Sequence, residues 1–395
     1  MTGTSQTCTK LRQIALSNIL SFGPDMEPLV LEDLNILIGP NAAGKSNLIE
    51  AIALMRAAPG DMGRAMRPGV GVSEWIWKGG KGSPACIDFV LENPRGRQPL
   101  RHVLSFRDEA MRFRLYDERI ENQTAYENED GPYFYYRFNQ GNPMVNTIRG
   151  ERRALAHETV DDDRSILAQR RDPEGYPELS CLAEIYEKIR IYREWVFGRN
   201  AVFRDPQKAD MRNDRLEEDF SNLGLFLNRL RRAPKAKAAL LESLRDLYEG
   251  VSDFDVSIEG GTVQVFFTEG DFVMPATRLS DGTLRYLCLL AILVDPSPPP
   301  LICIEEPELG LHPDILPKLA DLLVAVSERT QLIVTTHSDI LVDAMTERPE
   351  TIVVCEKHEG KTQFRRLSKD ELTVWLDKYR LGELWTKGEI GGTRW

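Results

Sequence analysis

Eight residues near the N-terminus have the spacing of a phosphate-binding loop (P-loop). Residues 39–46 read GPNAAGKS, which matches the pattern G-x-x-x-x-G-K-S/T. Backbone N–H groups of such a loop, with the N-terminus of the helix that follows, can surround phosphate oxygens. The pattern predicts that Lys45 reaches the β- and γ-phosphates and that the Ser46 hydroxyl binds Mg²⁺. We therefore expect ATP and Mg²⁺ as cofactors, with these further nucleotide-binding residues: Gly39, Asn41, Gly44 and Asn47.

Two adjacent carboxylates end an apolar run in the last third of the chain. Residues 301–306 read LICIEE, and four consecutive apolar residues are typical of a strand buried on both faces of a parallel sheet. The end of such a strand projects its side chains towards a ligand at the sheet edge. We expect Glu305 to bind Mg²⁺ and Glu306 to orient and deprotonate the attacking water. Alone, the pattern also fits a strand that ends in a solvated acidic turn.

Two further segments place polar residues at the ends of regular elements. Residues 279–283 read LSDGT and precede a helical pattern, so on their own they indicate a turn and a helix cap. Residues 331–338 read QLIVTTHS, a buried strand that ends in polar residues and His337. A core or capping role is the usual one for such a histidine.

The order of these four segments along the chain resembles that of ABC-type ATPases. The resemblance implies that Ser280 and Gly282 belong to a signature loop that contacts the γ-phosphate of ATP held by a second subunit. Asp281 stands where this loop usually has glycine. The resemblance also implies that His337 is a catalytic switch histidine and that ATP closes a head-to-head homodimer.

Within this class, the chain is most similar to the soluble RecF/SMC-like branch, particularly the overcoming-lysogenisation-defect (OLD) family and related anti-phage ATPases. The segments IEEPELGLHP, TTHS and GELWTKGEIGG carry this resemblance. Glu305 replaces the aspartate that is usual at the metal-binding position. The resemblance also implies a magnesium-sensing glutamine, for which Gln169 is the candidate. Residues 339–395 are too short for the nuclease domain of the OLD enzymes, so we expect ATP hydrolysis to be the only chemistry.

The elements around these segments predict an α/β fold. We expect an ABC-type P-loop ATPase head, with a mixed and parallel sheet flanked by helices, an antiparallel β region and an inserted helical subdomain. Residues 1–150 would form an N-terminal lobe with the P-loop and the antiparallel sheet. Residues 151–250 have a helical period, clearest in ELSCLAEIYEKIRIYREWVF, and would form the insertion. Residues 251–395 would form the C-terminal lobe.

Charge and composition limit where the protein works. The net charge is −11, from 50 Lys and Arg against 61 Asp and Glu, which argues against broad binding to nucleic acid. Basic clusters at 149–153, 170–171 and 229–237 are either solvated faces or local contacts to DNA. No apolar run approaches the roughly 20 residues of a membrane helix, and the N-terminus lacks the pattern of a secretory signal. We expect a cytoplasmic protein with no membrane partner.

These observations lead to one main hypothesis and two alternatives. The main one is an ATPase that drives or regulates a partner effector, such as a nuclease or toxin, in bacterial anti-phage defence. The first alternative is a RecF-like repair ATPase that binds DNA directly, and the second is a scaffold that binds ATP without turnover. A partner could dock on the helical insertion or on residues 381–395, where Trp385 and Trp395 are candidate interface anchors. Alternatively, these tryptophans pack the C-terminus onto the core.

Overall fold

The computed structural model of the protein describes residues 9–67, 71–80, 82–139, 142–147, 152–154, 160–193, 195–198, 201 and 204–392. The strands are β1 (Leu11–Ser17), β2 (Leu29–Val30), β3 (Leu34–Ile38), β4 (Ala85–Leu91), β5 (Leu100–Glu109), β6 (Arg112–Asn122), β7 (Phe134–Asn139), β8 (Asn142–Asn146), β9 (Arg152–Ala154), β10 (Arg190–Tyr192), β11 (Gln207–Lys208), β12 (Val251–Glu259), β13 (Thr262–Glu269), β14 (Phe272–Pro275), β15 (Leu301–Glu305), β16 (Gln331–Thr335), β17 (Ile352–His358) and β18 (Lys361–Arg366). The helices are α1 (Lys45–Arg56), α2 (Met62–Met66), α3 (Val72–Trp75), α4 (Ile166–Gln169), α5 (Pro177–Lys188), α6 (Leu223–Arg231), α7 (Pro234–Arg245), α8 (Asp281–Leu293), α9 (Leu316–Ser327), α10 (Asp339–Asp343), α11 (Lys369–Leu376) and α12 (Leu381–Thr386).

A six-stranded sheet forms the centre of the fold, in the order β10-β15-β16-β3-β17-β18. Its neighbouring strands are parallel from β10 to β17, and only β18 runs antiparallel. Alternate side chains face different cores: Ile36 and Ile304 belong to one hydrophobic cluster, whereas Leu37 and Cys303 belong to the other. Burial on both faces explains why β3, β15 and β16 have almost uninterrupted apolar sequences.

Two antiparallel sheets flank this centre. The larger has eight strands in the order β2-β1-β4-β5-β6-β7-β8-β9 and packs its apolar face with α1 and α5. All of its strands except β9 lie within residues 1–150, where the antiparallel sheet was expected, which confirms the predicted antiparallel region. The smaller is built on β13, which pairs with β11, β12 and β14. Helices α6, α7 and α8 share a core with this smaller sheet.

The stretch expected to be a helical insertion also supplies a strand to the central sheet. Helix α5 ends at Lys188, and β10 then pairs in parallel with β15. The helical interpretation of KIRIY within the longer stretch was therefore wrong, because a short apolar run fits either period and Ile189 and Ile191 favour extended backbone. The domain boundaries at 150 and 250 stay predictions. Within the described residues, no helix combines the length and the apolar character needed to cross a membrane.

Candidate active site

The parallel register brings the predicted segments together at one edge of the central sheet. Thr335 on β16 lies beside Leu37 on β3, and Glu305 on β15 lies beside Thr335. Because these strands run in the same direction, the residues that follow them meet at the same edge. The P-loop, Glu306 and His337 therefore lie close together, although they are far apart in the sequence.

Two glycines give the P-loop its shape. Gly39 has φ 145°, and a Cβ there would lie 2.2 Å from the carbonyl oxygen of Cys355. Gly44 has φ 109° and caps α1, and a Cβ there would lie 2.2 Å from Oγ1 of Thr362. Both positions thus combine a positive φ with a close approach, so only glycine fits.

A small polar cluster supports the loop from β18. The Thr362 hydroxyl donates to the Ala43 carbonyl at 2.8 Å and lies 2.7 Å from the hydroxyl of Ser21. Asn47 Nδ2 donates to the same Ser21 oxygen at 2.7 Å. The side-chain amide of Asn47, expected to bind nucleotide, is therefore engaged with this cluster, whereas Asn41 is exposed on the loop.

The Lys45 ammonium is held by the loop itself. Its Nζ donates to the carbonyl oxygens of Gly39 at 2.7 Å and Pro40 at 3.1 Å. Burial lowers the pKa of Lys45, and the negative charges of the nearby carboxylates partly oppose that shift. The cation is thus desolvated at the loop, where phosphate oxygens would be strong competing acceptors.

Glu305 has the surroundings of a metal ligand. Ser46 Oγ donates to its Oε2 at 3.3 Å, and its Oε1 is buried with no hydrogen-bond partner among the described residues. Burial raises the pKa of Glu305, while the charge of Arg193 opposes that shift. A hydroxyl beside a carboxylate with one unpartnered oxygen fits Mg²⁺, which commonly takes one or two protein ligands and completes its shell with water and phosphate. Groups of three or more potential ligands among His, Cys, Asp and Glu are absent from the described residues.

Glu306 and His337 form the second pair of the site. His337 Nε2 lies 3.6 Å from Glu306 Oε1, and Glu306 has a left-handed backbone with φ 46°. Glu308 Oε1 fixes the histidine by accepting hydrogen bonds from the His337 N–H and the Thr336 hydroxyl, both at 2.8 Å. Burial lowers the pKa of His337, and the charge of Lys45 lowers it further, whereas Glu306 opposes the shift. Burial and Lys45 thus favour the neutral form of the imidazole.

The predicted signature loop lies at the start of α8. Ser280 caps this helix by accepting from the Thr283 N–H at 3.1 Å, and its side chain is exposed. A Cβ on Gly282 would lie 3.0 Å from the carbonyl oxygen of Gly310, so the loop packs closely against the segment that follows the two acids. In the described part of the chain, no hydrogen bond joins Ser280 to the P-loop.

Two residues that follow β10 contact residues beside the P-loop and Glu305, and they were not predicted from the sequence. Arg193 forms an ion pair with Glu50 of α1, and Trp195 Nε1 donates to the Glu305 carbonyl at 2.7 Å. Arg285 of α8 lies over the Trp195 ring at 4.8 Å. The signal was present, since IRIY is followed directly by the charged Arg193, much as LICI is followed by two glutamates. The helical period around it concealed the strand.

The structure does not place Gln169 with the other predicted residues. Its side-chain nitrogen donates to the carbonyl oxygens of Asp161 and Arg164, both at 2.9 Å. Its Oε1 accepts from the Asp161 N–H at 2.8 Å. None of the hydrogen bonds found among the described residues joins it to Ser46 or Glu305, so the magnesium-sensing role stays a prediction.

Basic side chains of the 229–237 cluster are neutralised in part. They form ion pairs with acids of neighbouring elements: Arg229 with Asp295, Arg231 with Asp255 and Lys237 with Asp253. This favours the solvated-face interpretation over a DNA contact. The side chains of residues 149–153 are not among those that the structure describes.

Comparison with protein families decides the affiliation of the chain. Residues 34–343 match the family model described as "AAA domain, putative AbiEii toxin, Type IV TA system". The chain belongs to this AAA-domain family. No curated protein matches it.

Solved structures show which fold this AAA-domain protein has. It is similar to an Smc head bound to the C-terminal winged-helix domain of ScpA, with 16% identity, a TM-score of 0.55 and coverage of 92% of this chain and 99% of that one. It is also similar to the Smc head from Pyrococcus furiosus with an extended coiled coil, bound to the C-terminal domain of ScpA, with 14% identity, a TM-score of 0.57 and coverage of 94% and 99%. The predicted fold of an ABC-type ATPase head is thereby confirmed.

Proposed function

We propose that this chain binds ATP with Mg²⁺ and hydrolyses it in a homodimer that nucleotide closes head to head. The observation that carries the proposal is the meeting of the P-loop, Glu305, Glu306 and His337 at one edge of the central sheet. A phosphate cradle beside two carboxylates and a neutral histidine is an arrangement for phosphoryl transfer to water.

Each side chain has a role that its surroundings support. Lys45 and the N–H groups of the P-loop bind the phosphates. Ser46 and Glu305 would hold Mg²⁺, which supplies charge neutralisation at the phosphates. Glu306 orients the attacking water and accepts its proton as the oxygen bonds to the γ-phosphorus and the bond to ADP breaks. His337, fixed by Glu308, donates a hydrogen bond to the γ-phosphate from its neutral ring.

The dimer is supported by the exposed start of α8. Ser280 and Asp281, at the start of this 13-residue helix, are exposed, and no hydrogen bond among the described residues joins Ser280 to the P-loop of its own chain. A helix N-terminus favours an anion, and a second copy could bring its ATP there. The signature role of Ser280 and Gly282 therefore depends on a partner subunit.

The biological role that we propose is the control of an effector protein, such as a nuclease or toxin, in anti-phage defence in the cytoplasm. It is supported by the family match and by the OLD-like segments in the sequence. The Smc heads of similar fold are seen with a domain of ScpA, which is a precedent for a protein partner on this fold. Direct DNA binding, as in the RecF-like alternative, is disfavoured by the paired basic residues.

ATP turnover and molecular mass test the proposal together. Wild-type protein should hydrolyse ATP, and Glu306→Gln should lower turnover by about a hundredfold or more, since a general base contributes that much. Glu306→Gln should also accumulate as an ATP-dependent dimer in light scattering, whereas Lys45→Ala should bind no ATP and stay unchanged in mass. If wild type binds ATP without turnover, the scaffold alternative is correct. Equal masses for all three proteins with and without ATP would contradict nucleotide-driven closure.

A further inference from the structure

The C-terminal segment, residues 381–392, packs against the helix that follows the switch histidine. Helix α12 lies on α10, which Ser338 caps. The Gly382 N–H donates to Asp343 Oδ1 at 3.1 Å. A Cβ on Gly382 would lie 2.4 Å from the carbonyl oxygen of Asp339, so the glycine allows the two helices to approach this closely.

The other end of the segment is a double-glycine turn. Gly391 and Gly392 have φ angles of 76° and 70°, which residues other than glycine rarely adopt. The Gly392 N–H donates to Glu356 Oε1 at 2.8 Å. Its carbonyl accepts from Nε1 of the buried Trp385 at 3.1 Å. The turn is therefore fixed on both sides, and Trp385 is part of the core and not an exposed anchor; Trp395 lies outside the described residues.

This turn lies next to the first glycine of the P-loop. A Cβ on Gly392 would lie 3.5 Å from the Cα of Gly39, and a Cβ on Gly39 would lie 2.2 Å from the Cys355 carbonyl oxygen. Gly39 is thus enclosed between β17 and the C-terminal turn. Its own carbonyl accepts the hydrogen bond from Lys45, so a displacement of the turn changes the start of the P-loop and the position of the lysine.

We propose that residues 381–392 are a positioning element of the nucleotide site, which joins the P-loop at Gly39 to helix α10 after His337. The proposal rests on the function proposed above. Docking of the segment raises the affinity for ATP because it fixes the loop before phosphate binds. By thermodynamic linkage, ATP must then stabilise the docked segment by the same factor.

Binding of a fluorescent ATP analogue to the full chain tests this role with matched variants. Trp385→Phe removes the bond to Gly392 and keeps an aromatic ring, and Trp375→Phe alters an exposed tryptophan as its control. Gly392→Ala places a methyl group against Val354, Trp385 and Gly39, whereas Gly360→Ala has an equally positive φ and open space. We expect Trp385→Phe and Gly392→Ala to weaken ATP binding about threefold to tenfold, the equivalent of one neutral hydrogen bond. The two controls should bind as wild type does.

Hydrogen exchange separates positioning from general stability. ATP should slow exchange of the backbone amides in residues 381–392 of wild type and leave it unchanged in Lys45→Ala. Folded Trp385→Phe and Gly392→Ala proteins that bind ATP as tightly as wild type, with a lowered Tm alone, would overturn the proposal and leave the ATPase function standing. Wild type that binds no ATP would instead overturn the function itself.

Discussion

At the scale of single residues, the two adjacent carboxylates have different surroundings. Glu305 continues the strand and is fixed by Ser46 at its side chain and by Trp195 at its carbonyl. Glu306 leaves the strand with φ 46° and lies beside His337. A left-handed backbone costs about 1–2 kcal/mol for such a residue, and it separates the directions of two consecutive side chains. In the proposed reaction, Glu305 would thereby hold the metal and Glu306 would orient the water.

His337 is expected to contribute to the chemical step and little to the fold. Its imidazole is partly exposed, and the described hydrogen bond that fixes it to Glu308 uses its backbone N–H. His337→Ala should therefore lower turnover by about a hundredfold, since it removes a positioned polar group from the γ-phosphate. ATP affinity and Tm should change little. Turnover within twofold of wild type at saturating ATP would contradict the role.

The carboxyl group of Glu308 should make the free energy of unfolding depend on pH. Burial raises the pKa of this carboxyl group in the folded state, so the folded protein holds the proton more tightly than the unfolded chain. The stability that this proton contributes is fully present when the pH is below the pKa of the unfolded chain. It is lost as the pH rises through the higher pKa of the folded protein. Glu308→Gln removes the titration, so the free energy of unfolding should vary less between pH 5 and pH 8.

Urea unfolding at several pH values measures that difference. The exposed Glu347 supplies the control, and Glu347→Gln should show the pH dependence of wild type. Parallel curves for wild type and Glu308→Gln would mean that the carboxyl group titrates alike in the folded and unfolded protein.

At the scale of elements, local sequence patterns predicted the strands and loops that carry the P-loop, the acids and His337. Each of these segments is a buried strand followed directly by its functional residues. The apolar run therefore predicts the strand, and the motif that follows predicts the site at its end. Arg193 and Trp195 were missed because β10 has only three residues and follows α5 without a turn signal. The burial of Trp385 depends on Gly392 and on contacts with distant strands, which no periodicity encodes.

The support of the P-loop by β18 can be tested at Thr362. Thr362→Val keeps the shape of the side chain but leaves the buried Ala43 carbonyl without this donor. Unfolding free energy should fall by about 1–3 kcal/mol, with weaker ATP binding. Thr373→Val, which removes an exposed hydroxyl bonded to the Lys369 carbonyl within α11, should cost less than about 0.5 kcal/mol. Equal losses in the two variants would show that Thr362 gives the loop no special support.

At the scale of the whole molecule, a single copy contains only part of each proposed ATP site. The P-loop, Glu306 and His337 meet within one chain. Ser280 is exposed, and its side-chain hydrogen bonds in the described part of the chain all go to Thr283, at the start of its own helix. If a second copy supplies Ser280, each of two ATP sites in a dimer combines residues of both chains. In a dimer of one Lys45→Ala chain and one Ser280→Arg chain, both lesions should then fall in one site and leave the other intact.

Mixed dimers of Lys45→Ala and Ser280→Arg test this composition. Each variant alone should be inactive, because both of its sites carry the same lesion. In a dimer of one chain of each kind, one site carries both lesions and the other carries none, so turnover should recover to roughly half that of wild type if the two sites act independently. Purification through two different tags isolates the mixed species, and the turnover rate per dimer is the measurement. Tandem-linked chains with both lesions in one half serve as the matched control, since there each site retains one lesion and stays inactive. Activity in that control together with inactivity of the mixed dimer would show that Ser280 acts on the nucleotide of its own chain.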